Sequence, residues 1–195
     1  MNGADREKWN RIYSTGSIEV PGAARVLADH AYLLPHSGTA VDLACGTGGN
    51  AILLADHGLE TRAWDISDSA VEQLKEFTRD RNVNLMVQQR DVRSCPPDPD
   101  SYDVIVVSRF LDRGLMPHII NALKNEGLVF YQTFIKEKTG GAGPRNPDYL
   151  LNENELLGFF QSLHVVFYVE EGTVGDPARG IRNEAMLIAQ KRENM

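Results

Sequence analysis

The sequence predicts an α/β fold in which a mostly parallel sheet carries helices on both faces. Strand-like and helix-like segments alternate from residue 39 to residue 163, which is the order of a sheet with crossover helices. Residues 104–107 are four consecutive β-branched residues, a pattern typical of a central strand buried on both faces. The turn-rich residues 171–180 are too short for a crossover helix, so we expect the last strand pair to be antiparallel.

The individual elements follow from periodicity, caps and turn residues. We predict seven strands, at residues 39–44, 60–65, 84–88, 102–107, 127–134, 164–169 and 185–189. Helices are expected over residues 50–57, from Ser67 to Phe77, over 112–125 and over 152–162. Proline and glycine content makes 95–100 and 136–148 loops. We expect residues 1–37 to be an N-terminal helical lid segment and residues 38–195 to be a single ligand-binding domain.

Composition narrows the functional classes. The 195 residues suit one domain, and 27 acidic against 20 basic residues give a net charge of −7, which argues against a broad nucleic-acid surface. We find neither a membrane-length apolar run nor a secretory signal in the sequence. Two cysteines make no disulfide framework, and five scattered histidines show no metal spacing. We therefore expect a cytoplasmic protein, a monomer or weak homodimer, with a small-molecule substrate and no metal.

The strongest local signal is a glycine-rich turn between the first predicted strand and its helix, Cys45-Gly-Thr-Gly-Gly49. Gly46 and Gly48 allow positive φ and close approach of a ligand, and the following helix offers unpaired N–H groups. The same pattern also fits a dinucleotide fingerprint, so a nicotinamide cofactor stays an alternative. Asp42, at the end of the strand, distinguishes the two, because a carboxylate opposes a pyrophosphate but suits an ammonium group.

With Asp42-Leu-Ala-Cys-Gly-Thr-Gly, the sequence resembles class I S-adenosylmethionine-dependent methyltransferases. The sequence is similar to the small tellurite-resistance-like (TehB-like) branch of that family at Trp9 and Tyr13 and over residues 42–50, 64–67 and 182–189. The resemblance implies a three-layer Rossmann-like sandwich and S-adenosyl-L-methionine as cofactor. It also implies a cofactor-binding set of Asp42, Ala44, Gly46, Gly48, Asn50, Asp65, Ile66, Asp91, Val92 and Ser108.

The three acidic residues of that set have distinct implied roles. The resemblance places Asp42 near the amino group of the cofactor and Asp91 near the adenine. Asp65 lies 19 residues after Gly46, close to the spacing of an acidic residue that holds ribose hydroxyls. A cap on the following helix is the alternative role for Asp65.

Residues after the later strands are candidates for the substrate side. Arg109 follows the central strand and is suited to an anionic substrate. Tyr131 either walls the pocket or packs in the core, and Arg145 lies in a loop that folds over the substrate or is merely mobile. No convincing general base is evident, since Tyr131 and His36 are the only candidates.

We therefore predict methyl transfer to a small-molecule acceptor such as a thiol or a tellurite- or selenite-type oxyanion. The alternatives are an NAD-dependent oxidoreductase and a non-catalytic regulatory domain that binds the cofactor.

Overall fold

A computed structural model describes residues 3–15, 21–141 and 143–193, and it contains one seven-stranded sheet. The strands are β1 Thr39–Leu43, β2 Glu60–Asp65, β3 Leu85–Gln89, β4 Tyr102–Ser108, β5 Leu123–Phe134, β6 His164–Val169 and β7 Glu184–Gln190. Their order across the sheet is β3-β2-β1-β4-β5-β7-β6. Strand β7 pairs antiparallel with both β5 and β6, while the other pairs are parallel. The predicted mostly parallel sheet with an antiparallel C-terminal strand is confirmed.

Helices cover both faces of the sheet. They are α1 Gly3–Ser14, α2 Arg25–Ala28, α3 Gly49–Asp56, α4 Asp68–Thr78, α5 Met116–Ala122 and α6 Glu155–Phe159, with short 3-10 turns at Ala31–Leu33, Arg113–Leu115 and Pro147–Tyr149. On one face Leu27 and Leu54 join Phe130 in a buried cluster. On the other face Ile119 and Phe160 pack in a second cluster. The result is the predicted three-layer sandwich.

Strand order places the ligand region. The chain proceeds outward from β1 through β2 to β3, and then returns to pair β4 with the other side of β1. The carboxyl ends of β1 and β4 thus lie beside each other at the topological switch point, where open α/β sheets bind their ligands.

Two predicted helices are shorter than expected. The helix expected over 112–125 begins at Met116 and ends at Ala122, because Leu123 already pairs with Tyr102 in the sheet. Glu126 then takes a left-handed φ of 62°, and the register with β4 shifts. The helix expected over 152–162 covers only Glu155–Phe159. The helical periodicity of the sequence continues beyond the ends of both helices. The residues there pair with a strand or form turns in the structure.

The N-terminal region is only partly helical. Residues 15–24 separate α1 from α2, and residues 16–20 lie outside the described residues, as do residues 1, 2, 142, 194 and 195. Among the described helices, we find no helix whose length and apolar character would let it cross a membrane.

Candidate functional site

The turn between β1 and α3 has a strained backbone. Ala44, Gly46 and Gly48 all take left-handed φ values, of 55°, 54° and 87°. For Ala44 this conformation costs about 1–2 kcal/mol, so the surrounding contacts must hold it. The N–H of Cys45 donates to the Trp64 carbonyl at 2.9 Å, and the N–H of Gly48 donates to the Cys45 carbonyl at the same distance. These bonds fix the turn between the carboxyl ends of β1 and β2.

Asp42 is a fully buried carboxyl group at the end of β1. Its Oδ1 accepts a hydrogen bond from Asn50 Nδ2 at 3.3 Å, whereas its buried Oδ2 has no partner among the described residues. Loss of hydration, partly offset by hydrogen bonds from Asn50 and the Ala51 backbone, raises the pKa of Asp42 to about 7. A buried, unpartnered carboxylate oxygen costs free energy unless a ligand completes it.

Asn50 connects this carboxyl group to two other elements. Its Nδ2 also donates to Ser108 Oγ at 2.9 Å, and its Oδ1 accepts from the Ala24 N–H at 2.8 Å. The side-chain amide therefore links β1, the end of β4 and the start of α2. Asp42, Asn50 and Ser108, all in the predicted binding set, lie together in the structure.

Asp65 is nearly buried at the end of β2. Its Oδ2 accepts from the Gly46 N–H and its Oδ1 from the Ser67 N–H, each at 2.8 Å. Burial raises its pKa, and these backbone hydrogen bonds oppose the rise. The helix cap itself is Ser67, whose Oγ accepts from the Ala70 N–H at 3.2 Å. Asp65 thus joins the glycine turn to the entry of α4, and each oxygen keeps capacity for a further donor.

The end of β3 carries the remaining predicted adenine contacts. Asp91 Oδ1 accepts from the backbone N–H of Arg93 at 3.1 Å and from its Nε at 3.3 Å. Arg93 also forms an ion pair with Asp5 of α1 at 2.9 Å. Val92 is buried in the same cluster as Trp64, and Ile66 is half-buried after β2. Asp91 is therefore already paired, which the sequence pattern did not indicate.

Helix α1 covers the glycine turn. The Tyr13 hydroxyl lies so close to the turn that a Cβ at Gly46 would come within 2.6 Å of it. Burial and the charges of Asp65, Cys45 and Asp42 raise the pKa of Tyr13, which keeps its hydroxyl protonated. Trp9 stacks on Tyr13 with ring centroids 6.0 Å apart.

Polar contacts attach α1 to α4. Arg6 pairs with Asp68 at 2.7 Å. The Ser67 hydroxyl donates to Asn10 Oδ1 at 2.7 Å, and Gln73 Nε2 donates to the Tyr13 carbonyl at 2.7 Å. Sequence reasoning placed the two aromatic rings on one helix face but gave no indication of these partners.

A second polar group borders the end of β4. Arg109 follows β4 with a left-handed φ of 53°, and its N–H donates to the Gln132 carbonyl at 2.7 Å. Its Nε donates to Glu184 Oε1 at 3.1 Å, and Glu184 Oε2 accepts from Gln132 Nε2. Gln132 Oε1 in turn accepts from the Val26 N–H at 2.9 Å. The sequence analysis missed Gln132 and Glu184.

The other substrate-side candidates are distributed differently. Tyr131 is fully buried, packs against Phe160 and donates its hydroxyl to the Phe110 carbonyl at 2.9 Å, which places it in the core. His36 lies three residues before β1, at the opposite edge of the sheet, and cannot act as a base here. Arg145 is exposed. Within the described ranges, no three histidine, cysteine or acidic side chains are grouped as a metal site.

Comparison with known proteins agrees with this geometry. Residues 40–127 match the family model described as "Methyltransferase domain". YqeM of Bacillus subtilis (strain 168), which is named as a candidate methyltransferase, is 32% identical over 74 residues, covering 38% of this chain and 30% of that protein. Hemagglutinin 1 of Eikenella corrodens is 35% identical over 83 residues, covering 41% of this chain and 27% of that protein. The chain spans under a third of the length of these curated relatives.

The fold has many solved relatives. The crystal structure of TehB from Haemophilus influenzae superposes with a TM-score of 0.71 at 18% identity, covering 94% of this chain and 67% of that one. At this identity the likeness shows the fold. Over residues 40–127 the chain is similar to the methyltransferase domain family, and its seven-stranded fold is the one that TehB has.

Proposed function

We propose that this protein is an S-adenosylmethionine-dependent methyltransferase acting on a small-molecule acceptor. The observation that carries the proposal is the Asp42 carboxyl group, which is buried beside a left-handed glycine turn and has one oxygen without a partner among the described residues. An ammonium group is the partner that such an oxygen requires. The amino group of S-adenosylmethionine supplies one, whereas the pyrophosphate of a dinucleotide would add a second negative charge near Asp42.

The other residues of the site fit the rest of that cofactor. The two Asp65 oxygens each hold one backbone N–H and keep capacity for ribose hydroxyls. Val92 and Ile66 would contact the adenine faces, and Asp91 its amino group. Ala44, Gly48 and Ser108 would border the methionine part. These assignments use only groups that lie at the carboxyl ends of β1 to β4.

Helix α1 is proposed to act as a lid. Tyr13 lies on Gly46, and the carbonyls of Pro21 and Gly22 lie so close to Gly49 that a Cβ there would meet them at 2.3 and 2.9 Å. The glycine turn is thus covered from two directions, so cofactor entry requires the N-terminal segment to move away. The hydrogen bonds that Ser67 and Gln73 donate to Asn10 and Tyr13 of α1 would close it again.

The bound cofactor would supply a methyl group carried on a sulfonium. The acceptor would form a bond to the methyl carbon, and the electron pair of the broken carbon–sulfur bond would stay on sulfur. The chain's own contribution is binding, orientation and exclusion of water. Holding the two reactants together can supply about 7–11 kcal/mol of the barrier. Tyr131 and His36 lie in the core and at the opposite edge, so neither serves as a base. This favours a soft or already ionised acceptor, such as a thiolate or a tellurite- or selenite-type oxyanion.

A titration with S-adenosylhomocysteine, with NADH as the comparison ligand, tests the proposal. Ligand at 100 times its Kd stabilises the protein by about 2.7 kcal/mol, or roughly 5–10 °C in Tm for this chain length. Trp9 on the lid should report binding by fluorescence, while Trp64, buried under Arg90 and edge-on to Tyr102, should respond little. A shift with NADH alone would refute the proposal. Transfer of labelled methyl to an acceptor then distinguishes an enzyme from a non-catalytic binding domain.

A further inference from the structure

We infer that the acceptor carries an oxyanion group, such as a carboxylate, and that Arg109 binds it while Glu184 positions Arg109. This inference rests on the proposed function, because it concerns the acceptor side of the same site. Arg109 immediately follows Ser108, and Ser108 is joined to the Asp42 carboxyl group through the single amide of Asn50. The arginine therefore projects from the edge of the proposed cofactor site, at the end of the central strand.

The backbone of Arg109 is held in an unusual conformation. A left-handed φ of 53° in a residue with a side chain costs free energy, and the 2.7 Å hydrogen bond to the Gln132 carbonyl maintains it. Strained residues of this kind concentrate where a side chain must be aimed at a ligand. The observed turn directs Arg109 out of the strand toward Glu184, instead of continuing the strand alternation.

A chain of hydrogen bonds fixes the guanidinium. The Val26 N–H donates to Gln132 Oε1, and Gln132 Nε2 donates to Glu184 Oε2. Glu184 Oε1 then accepts from Arg109 Nε. Gln132 is buried and the Glu184 side chain is only 12% exposed. Each Glu184 oxygen accepts one of these hydrogen bonds, so this carboxylate links Gln132 to Arg109 and orients the arginine. The orientation is thus set by β5, β7 and α2 together.

The outer edge of the same guanidinium has no partner among the residues that the structure describes. Within the parts of the chain that the structure describes, Arg109 makes its one side-chain hydrogen bond through Nε, and its side chain is 62% exposed. Its two Nη groups form the planar fork that matches a carboxylate or similar oxyanion. On a chain of net charge −7, a fixed cation at the site edge selects anionic over neutral acceptors.

Calorimetric titration of the full chain saturated with S-adenosylhomocysteine tests the inference with matched probes. The probes are 3-mercaptopropionate and its amide, 3-mercaptopropionamide, which differ in the anionic group alone. We expect the acid to bind at least about tenfold more tightly than the amide to the wild-type complex, as for a charge-assisted contact. Arg109→Gln should reduce that ratio to about one, and Arg109→Lys should retain part of it because it keeps the charge and loses the fork.

Controls separate recognition from folding. Arg109→Gln leaves Glu184 unpaired, so the double variant Arg109→Gln/Glu184→Gln should regain stability without regaining the preference for the acid. Glu184→Gln alone should reduce the ratio while Arg109 is intact, as expected for a positioning residue. Arg79→Gln removes a comparable surface cation, 66% exposed and paired with Glu76 at the far end of α4, and should leave the ratio unchanged.

Equal binding of acid and amide to the wild-type complex, binding of neither, or a preference that persists in the double variant would each overturn the inference. Failure of S-adenosylhomocysteine to bind the wild-type protein would be a different result. That outcome would overturn the cofactor assignment itself, and the acceptor inference with it.

Discussion

Replacing Asp42 by asparagine should stabilise the ligand-free protein and weaken its binding of the cofactor. Asp42 is fully buried, and burial raises its pKa from 3.8 to about 7. A difference of that size between the unfolded and folded states corresponds to roughly 4 kcal/mol of folding free energy. Asparagine has nearly the same shape, can accept from Asn50 and carries no charge to desolvate, so the variant should regain part of this free energy.

The size of the stability difference between Asp42→Asn and the wild type depends on pH. Below about pH 4 the carboxyl group is protonated in both states, so wild type and variant should be equally stable. Between pH 4 and 7 the unfolded chain ionises while the folded chain stays protonated, and the wild type loses stability as pH rises. Above pH 7 the cost is constant. The advantage of Asp42→Asn should therefore grow from pH 4 to pH 7 and then level.

Thermal unfolding at pH 4.5, 6 and 8 measures the first effect. Recovery of half of the cost at pH 8 would raise Tm by roughly 4–8 °C for a chain of this length. Titration calorimetry with S-adenosylhomocysteine measures the second effect, and loss of a charge-assisted hydrogen bond of about 1.5–3 kcal/mol should raise Kd by roughly 10- to 150-fold.

Asp103→Asn is the matched control at the other end of the sheet. Asp103 forms an ion pair with Lys124 at 2.8 Å and accepts from the Thr39 N–H at 2.7 Å, and these contacts hold its pKa below the usual range despite partial burial. This variant should lower Tm at pH 8 and leave cofactor binding unchanged. The reasoning would be refuted if Asp42→Asn lowered Tm at pH 8, or if it bound S-adenosylhomocysteine as tightly as the wild type.

Three further outcomes are expected. Because Asp42 must ionise to meet an ammonium group, the Kd for S-adenosylhomocysteine should fall about tenfold per unit from pH 5 to pH 7 and then level; a flat calorimetric profile would contradict this. Tyr13→Ala should weaken binding more than Tyr13→Phe and reduce the Trp9 fluorescence response, whereas equal affinities would argue against a lid. Asp65→Asn should lower the free energy of urea unfolding by about 1–3 kcal/mol, since an amide oxygen cannot replace both carboxylate acceptors of Gly46 and Ser67; an unchanged midpoint would show that these bonds are dispensable.

The strands and the acidic residues at their carboxyl ends were predictable, because neighbouring residues in the sequence are enough to identify both. A run such as residues 104–107 identifies a buried strand without any tertiary information. Parallel pairing then brings the carboxyl ends to one edge, so Asp42 and Asp65 had to lie near the glycine turn. The alternative role of Asp65 as a helix cap falls to Ser67 in the structure, while the Asp65 carboxylate joins the glycine turn to the helix entry.

The remainder of the site depends on contacts between distant residues. Tyr13 reaches Gly46 only because α1 folds back over the sheet. Glu184 faces Arg109, 75 residues earlier, only because β7 inserts antiparallel between β5 and β6. Neither pairing leaves a periodic signal. For Tyr131 the sequence left a pocket wall and core packing open, and the structure places its side chain in the core.

The two buried carboxyl groups differ in a way that orients a ligand. Both Asp65 oxygens already hold a backbone N–H, so its charge is compensated and its remaining capacity suits neutral hydroxyl donors. Asp42 has a long amide contact from Asn50, a hydrogen bond from the Ala51 backbone and one oxygen without a partner among the described residues, so a cationic group would offset the cost of ionising it. A ligand that is cationic at one end and carries adjacent hydroxyls further along would satisfy both groups in a single orientation. That orientation would direct the cationic end toward β1 and β4, where Ser108 and Arg109 would begin the proposed acceptor side.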